Sequence, residues 1–287
     1  MGATSTWYLL RIAFGPVTPV IPICREYNPN LPLTISQSAA TLHLMFRRLL
    51  SSRIMEAMSD TPVVVLVGPR QAGKTTLVRE IADAEQVSYV TLDDSLTRLS
   101  AQNDPEGLIR SVDRVVVDEI QRVPELYLSI KKAVDDDRRP GRFLLTGSAN
   151  LMAVPQAADS LAGRMEMLQL LPLSQSEVRG VDGNWLDAVF SGVIPMSVEP
   201  VIADDLVATV LAGGYPEALG RSSARRRSAW FRQYVEAIIQ RDVTEISDIT
   251  KPVALRTLLS GLGHTVGQLS NYSEVGGTIG LDHKTVS

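Results

Sequence analysis

From residue 45 onward the apolar residues of this chain alternate between two spacings. Short unbroken runs bounded by turn residues, such as Val63-Val64-Val65-Leu66-Val67 between Pro62 and Gly68, read as strands buried on both faces. Similar runs predict strands at Val87-Ser88-Tyr89-Val90-Thr91-Leu92, at Val115-Val116-Val117, from Arg142 into Leu145, and from Met165 to Leu170. Between these runs the spacing becomes helical. Leu77, Val78, Ile81 and Ala82 mark one helical face; a helix follows through Leu96 and Leu99; Asp104 and Pro105 form an N-cap and first position; and Leu126, Ile130, Ala133 and Val134 point inward from another helix. Strands alternating with helices predict a parallel sheet covered by helices. Ahead of the first strand, Leu49, Leu50, Ile54 and Met58 form a stripe with Arg47, Arg48 and Arg53 off it.

From Leu171 the pattern is helical only. Ser174-Gln175-Ser176-Glu177 is a capping box, and Gly213-Gly214-Tyr215-Pro216 is a turn. A helix from about Ser223 to Asp242 is expected to bury Trp230, Tyr234, Val235, Ile238 and Ile239. Another runs through Leu255, Leu258, Leu259 and Leu262. After it, Gly276, Gly280, Asp282, Thr285 and Val286 have the spacing of a helix-turn-helix that the chain leaves inside its second helix. Residues 1–44 hold no period and are broken by prolines 16, 19, 22, 29 and 32, so a disordered or loosely attached extension is expected, with Met45 as an alternative native start.

The first chemical signal lies between the first strand and the helix after it. Gly68-Pro69-Arg70-Gln71-Ala72-Gly73-Lys74-Thr75 fills the pattern G-x-x-x-x-G-K-[ST], in the strand–loop–helix context where that pattern binds phosphate. Backbone N–H groups and the helix dipole would hold the α- and β-phosphates, Lys74 the β- and γ-phosphates, and the Thr75 hydroxyl magnesium. Asp118-Glu119, directly after the strand at 115–117, has the form of a Walker B element, Asp118 holding hydrated magnesium and Glu119 activating a water; the alternative is a strand that turns polar as it leaves the sheet. Thr146, Ser148 and Asn150 follow the fourth strand, where ligands of an open parallel sheet sit, so one of them senses the γ-phosphate or, for Ser148 and Asn150, caps a helix. Arg164 precedes the fifth strand, placed either to reach a neighbouring subunit's γ-phosphate or to stand on the surface. Arg225-Arg226-Arg227 reads as solvated surface, with phosphate contact as the other reading, and Arg241-Asp242 could lend charge to the site.

Composition narrows the function. A balance of 28 basic and 32 acidic residues gives no global case for nucleic-acid or membrane binding, and the single cysteine, Cys24, excludes an intrachain disulfide and a Cys-rich zinc site. No apolar run is long enough to span a membrane and Arg11 interrupts any signal-like segment, so a soluble cytoplasmic protein is expected.

With these signals in order, residues 45–287 resemble the prokaryotic AAA+-like P-loop ATPases that carry a C-terminal domain of unknown function. The resemblance is carried by GPRQAGKTT at 68–76, VVVDEIQRVP at 115–124, LLTGSAN at 144–150, SLAGR at 160–164, PLSQSEV at 172–178, GGYPEA at 213–218 and QRDV at 240–243. It implies an α/β, three-layer P-loop NTPase core with a five-stranded parallel sheet over 45–170. An α-helical lid over 171–250 and a partial helix-turn-helix over 251–287 would follow. It also implies ATP and magnesium, nucleotide contacts from Gly68 through Thr76, Ser148 or Asn150 as sensor, and Arg164 in the place of an arginine finger. Such proteins usually continue past the helix-turn-helix, so the chain is expected to be a truncated member.

The expected activity is magnesium-dependent ATP hydrolysis driving a conformational switch, with homo-oligomerisation and a DNA or protein partner of the C-terminal region left open. Two alternatives stand beside it. One is a nucleotide-gated binding module with little turnover. The other is a small-molecule kinase, prompted by Asp93 and Asp94 at a strand end but opposed by the water-activating Asp118-Glu119 pair. A GTPase fits less well, because Gln121 stands where D-x-x-G needs glycine and no N-K-x-D occurs.

Overall fold

The computed structural model describes residues 46–148, 161–181, 185–193, 201–246, 252–264 and 277. The chain divides at His43/Leu44, and every described residue lies in the second unit. That unit is built on five parallel strands, β1 (Val63–Val67), β2 (Ser88–Thr91), β3 (Val115–Asp118), β4 (Phe143–Gly147) and β5 (Met165–Gln169), in the spatial order β2-β3-β4-β1-β5. β1 is central, with Val63 opposite Phe143 on one side and Met165 on the other.

Successive side chains of a strand point to opposite faces, so an unbroken valine run needs cover on both. On one face Val63, Val65, Val117 and Leu145 pack with Leu126, Ile130 and Val134 of the helix Glu125–Asp136 (here α5) and with Ile109 of Pro105–Arg110 (α4). On the other, Val64, Leu66, Val116 and Leu144 meet Ile54, Ala57 and Met58 of Leu50–Asp60 (α1) and Leu77, Val78, Ile81 and Ala82 of Lys74–Glu85 (α2). The third helix in chain order, α3 (Ser95–Asn103), is capped by Asp94, which accepts from Thr97 N, and α4 by Asp104, which accepts from Gly107 N. A three-layer α/β fold with a five-stranded parallel sheet is thus the architecture, as the alternation of spacings predicts.

Beyond β5 the described elements are helical: α6 (Gln175–Arg179), α7 (Trp185–Phe190), α8 (Ala203–Ala212), α9 (Pro216–Leu219), α10 (Ala224–Ile246) and α11 (Pro252–His264). The capping box of α6 is present, Ser174 and Glu177 exchanging side-chain and backbone bonds. The turn at 213–216 is fastened to the segment that follows β5, because Leu173 N donates to Gly214 O at 2.7 Å. A Cβ on Gly214 would stand 2.2 Å from Leu173 O, a backbone atom with no freedom to withdraw. Gly214→Ala is therefore expected to lower stability by about 1–3 kcal/mol, read as a lower urea midpoint with an unchanged slope.

Two expectations change. Arg48, placed off the apolar stripe, is buried, while Leu49 on that stripe is exposed, because the helix begins at Leu50 and the preceding residues turn back across the loop after β1. On α10, Trp230 and Ile239 are buried and Tyr234 and Ile238 half-buried, but Val235 is exposed. Each residue turns a helix by about 100°, which carries Val235 away from the Trp230–Tyr234 stripe that faces Tyr215. The helix-turn-helix expected over 272–287 lies, apart from Gly277, outside the described residues.

Candidate nucleotide site

The loop from Gly68 to Gly73 joins the carboxyl end of β1 to the amino end of α2. Gly68 lies against β5, its missing Cβ position 2.2 Å from Leu170 O, so a side chain there would push the loop off the sheet. Gln71 has φ 60° and Gly73 φ 99°. Left-handed residues among right-handed ones turn successive N–H groups to one side and form an anion nest. α2 starts at Lys74 with no side-chain cap, and its dipole points into the same loop. The Lys74 ammonium is folded across the loop, donating to Gly68 O at 2.9 Å and Pro69 O at 3.2 Å.

Asp118, 1% exposed at the end of β3, sits beside this helix end. Its carboxylate accepts three hydroxyls: Thr75 at 3.0 Å, Tyr89 at 2.9 Å and Thr146 at 2.5 Å. Burial pushes the Tyr89 phenol above its ordinary value, against the opposing pull of Arg79, and the Asp118 charge pushes the same way, so the phenol remains a donor. Arg79 lies over the Tyr89 ring, 4.8 Å from its centroid. Thr146 bridges the two acidic residues, because its Oγ1 also accepts from Glu119 N at 3.0 Å. Glu119 is left-handed, φ 61°, a conformation that strains a non-glycine residue by about 1–3 kcal/mol. The Thr146 bond and a side-chain bond from Gln121 Nε2 to Glu119 Oε2 hold it there.

The oxygens gathered here suit magnesium. A carboxylate and a hydroxyl within 3.0 Å of each other are hard donors, and magnesium takes one or two such protein ligands while keeping waters and substrate phosphates. Among the described residues there is no cluster of three or more His, Cys, Asp and Glu side chains of the kind an all-protein metal cage needs.

The remaining expected site residues are distributed as follows. Ser148 lies half-buried just past β4, and Asn150 is outside the described residues. Arg164 donates from Nε to Asp135 Oδ1 at 2.7 Å and from Nη2 to Asp135 Oδ2 at 3.0 Å. It precedes Met165, which pairs with Val63 at the start of β1, so about six positions of strand, or ~20 Å, separate its level from Gly68. Such a position faces away from the chain's own phosphate loop. Asp93 is paired with Arg122, and Asp94 caps α3, so the two acids that prompted a kinase acceptor site are engaged in structure. Arg225 and Arg226 are exposed and Arg227 is half-buried; the side chains of Arg241 and Asp242 fall outside the described ones.

Four contacts at the site were missed from the sequence: Tyr89 on Asp118, Gln121 on Glu119, Arg48 on Ala72 O and Tyr234 on Arg70 O. Tyr89, on a strand beside β3, was readable in principle, and the Gln121 contact is local, set by the turn after β3. The other two depend on long-range packing.

A Gly-rich loop on a helix N-terminus, a lysine across it, and a hydroxyl–carboxylate pair at the next strand define a P-loop nucleoside triphosphatase fold. Residues 60–179 match the model of a family described as an AAA domain, and residues 203–287 match DUF8612, a domain of unknown function. The chain thus joins an AAA-type P-loop domain over residues 60–179 to a domain of unknown function over residues 203–287. Uncharacterized proteins of Mycobacterium bovis and Mycobacterium tuberculosis are each 31% identical over 272 residues, covering 90% of this chain and 54% of the relative. The chain thus spans about half the length of these curated relatives. Among solved structures, a Walker-type ATPase of Pyrococcus abyssi aligns at 15% identity, covering 77% of this chain and 81% of that one, with a TM-score of 0.41. AMPPCP-bound DnaA of Aquifex aeolicus aligns at 13% identity over 83% of each chain, also with a TM-score of 0.41.

Proposed function

We propose that this chain is a magnesium-dependent ATP hydrolase whose nucleotide state switches its conformation. The observation that carries this reading is the continuous set Thr75–Asp118–Thr146–Glu119, which ties the first turn of α2 to the ends of β3 and β4. The loop N–H groups from Gly68 to Thr76 would bind the phosphates, and Lys74 would move from the Gly68 and Pro69 carbonyls onto the β- and γ-phosphate oxygens. Magnesium, held by Thr75 and Asp118, would supply charge neutralisation at those oxygens. Glu119 would take the proton of a water aligned with the γ-phosphate, while Thr146 keeps its backbone in register with Asp118. Ser148 or Asn150 would sense the γ-phosphate.

Any phosphate contact of Arg164 would be in trans, since it lies at the end of the sheet opposite its own loop. It would leave Asp135, whose carboxyl it holds below the ordinary range, to meet the γ-phosphate of a second copy. In this reading 45–170 is the ATPase core, 171–250 a helical lid and 251–287 the start of a partner-binding region, DNA or protein. Among the described residues no helix is long and apolar enough to cross a membrane, in keeping with a cytoplasmic site of action.

The test is steady-state ATP hydrolysis across a range of protein concentrations, with and without DNA. Specific activity that rises with concentration in the wild type and stays flat in Arg164→Ala supports sites completed between copies. Nucleotide binding without turnover under any condition favours a nucleotide-gated binding module instead.

A further inference from the structure

The nest that would face the phosphates is held from behind. An anion-binding loop must turn its N–H groups inward, so its carbonyls point outward, and buried outward carbonyls need donors. Two long-range side chains supply them on either side of the left-handed residue Gln71. Arg48 Nη1 donates to Ala72 O at 2.7 Å, and Tyr234 OH donates to Arg70 O at 3.0 Å. Neither comes from the loop, α2 or the sheet.

Both donors are themselves anchored in the part that follows β5. Arg48 Nη2 donates to Leu171 O at 2.5 Å and Nε to Glu177 Oε1 at 3.0 Å. Burial works to raise the Glu177 carboxyl, but bonds from Ser174 and Leu49 N–H and the Arg48 charge carry it below its ordinary value, so it stays ionised beneath the guanidinium. Tyr234 sits on α10, within 3.1 Å of the Tyr215 hydroxyl and stacked on Trp230 at 5.0 Å with a 10° interplanar angle. Tyr215 belongs to the GGYPEA turn, whose Gly214 O accepts from Leu173 N. The motif thus acquires a role: it seats an aromatic cluster whose outermost hydroxyl reaches the phosphate loop.

We propose that Arg48 and Tyr234 are positioning residues that fix the phosphate loop by the carbonyls flanking Gln71, and that Tyr234 passes the loop's state to α10. A left-handed non-glycine residue persists only where its surroundings over-determine it. The two bonds do so here, one on the peptide that joins Arg70 to Gln71 and one on the peptide that joins Ala72 to the left-handed Gly73. When phosphates draw on the N–H groups of the same peptides, the Arg70 carbonyl shifts, and the Tyr234–Trp230 stack moves with it.

This inference rests on nucleotide binding at the loop, and the experiment separates the two. Wild-type and Tyr234→Phe proteins are titrated with ATP in a Trp7→Phe, Trp185→Phe background, where Trp230 is the sole reporter, with calorimetry measuring binding independently. Phenylalanine keeps the ring and the stack and removes only the donor. Expected are a Trp230 emission change on wild-type binding, its loss in Tyr234→Phe, and about three- to tenfold weaker binding, the span one hydrogen bond accounts for. Gln71→Gly, which relieves the left-handed strain, should restore most of the lost affinity to Tyr234→Phe without restoring the emission change. If calorimetry finds no binding to the wild type, the nucleotide reading itself fails. If the wild type binds and Tyr234→Phe matches it in affinity and Trp230 response, the positioning role is overturned. Arg48→Lys, which retains charge but not the fork, serves as the second variant and should also weaken binding; equal affinity there would remove Arg48 from the proposal.

Discussion

Glu119→Gln protein is expected to bind ATP as tightly as the wild type and to hydrolyse it about a thousandfold more slowly, within the span that positioned general bases contribute. The amide has the shape of the carboxylate but cannot accept the water's proton. Its position should not change, because the bond that places residue 119 runs from its backbone N–H to Thr146 and is untouched by the substitution. Gln121 already donates to Oε2 and can donate equally to an amide oxygen. Single-turnover hydrolysis reads the chemical step and calorimetry the binding. Unchanged turnover would remove Glu119 as the base and leave it as a turn residue of unusual conformation.

Lys74→Ala acts on the other side of the reaction. ATP binding is expected to weaken by about 100-fold, since a charge-assisted contact to two phosphates is lost. Lys74 is 7% exposed and its ammonium lies on the Gly68 and Pro69 carbonyls, so it is already oriented over the loop and needs only a short swing to a phosphate. ATP should raise the melting temperature of the wild type and leave that of Lys74→Ala unmoved at the same concentration, because a ligand stabilises only the state it binds. Equal shifts in both proteins would place the nucleotide elsewhere.

The residues legible in the sequence are those whose partners lie nearby in the chain or follow from strand direction. Val63–Val67, the loop and α2 are contiguous, and the run of β-branched residues, the glycines and the helical spacing each point to one conformation. Asp118 and Glu119 were legible because a parallel sheet brings strand ends together whatever the loops between them do. Arg48 was not. Beside an apolar stripe a lone arginine reads as solvated, and only the carbonyls of Ala72 and Leu171 and the carboxylate of Glu177, distant in sequence, make burial favourable. Tyr234 was read correctly as facing inward, but its period says nothing of what it meets. Thr146 was legible as a site residue and not as the bridge between two acids, since that role depends on the register of β3 against β4.

The strand order also sets a sequence of events as the chain is made. β1 is the first of the five described strands in chain order, yet it pairs only with β4 and β5, while β3 pairs with β2 and β4. The phosphate loop attached to β1 therefore waits, and its fasteners close long stretches of chain, 129 positions for the Arg48–Glu177 pair and 164 for Tyr234 on the Arg70 carbonyl. Loop closure on that scale comes late in folding. The loop that names the fold is translated early, and the strands and side chains that hold it, β4, β5, Glu177 and Tyr234, are all translated after it.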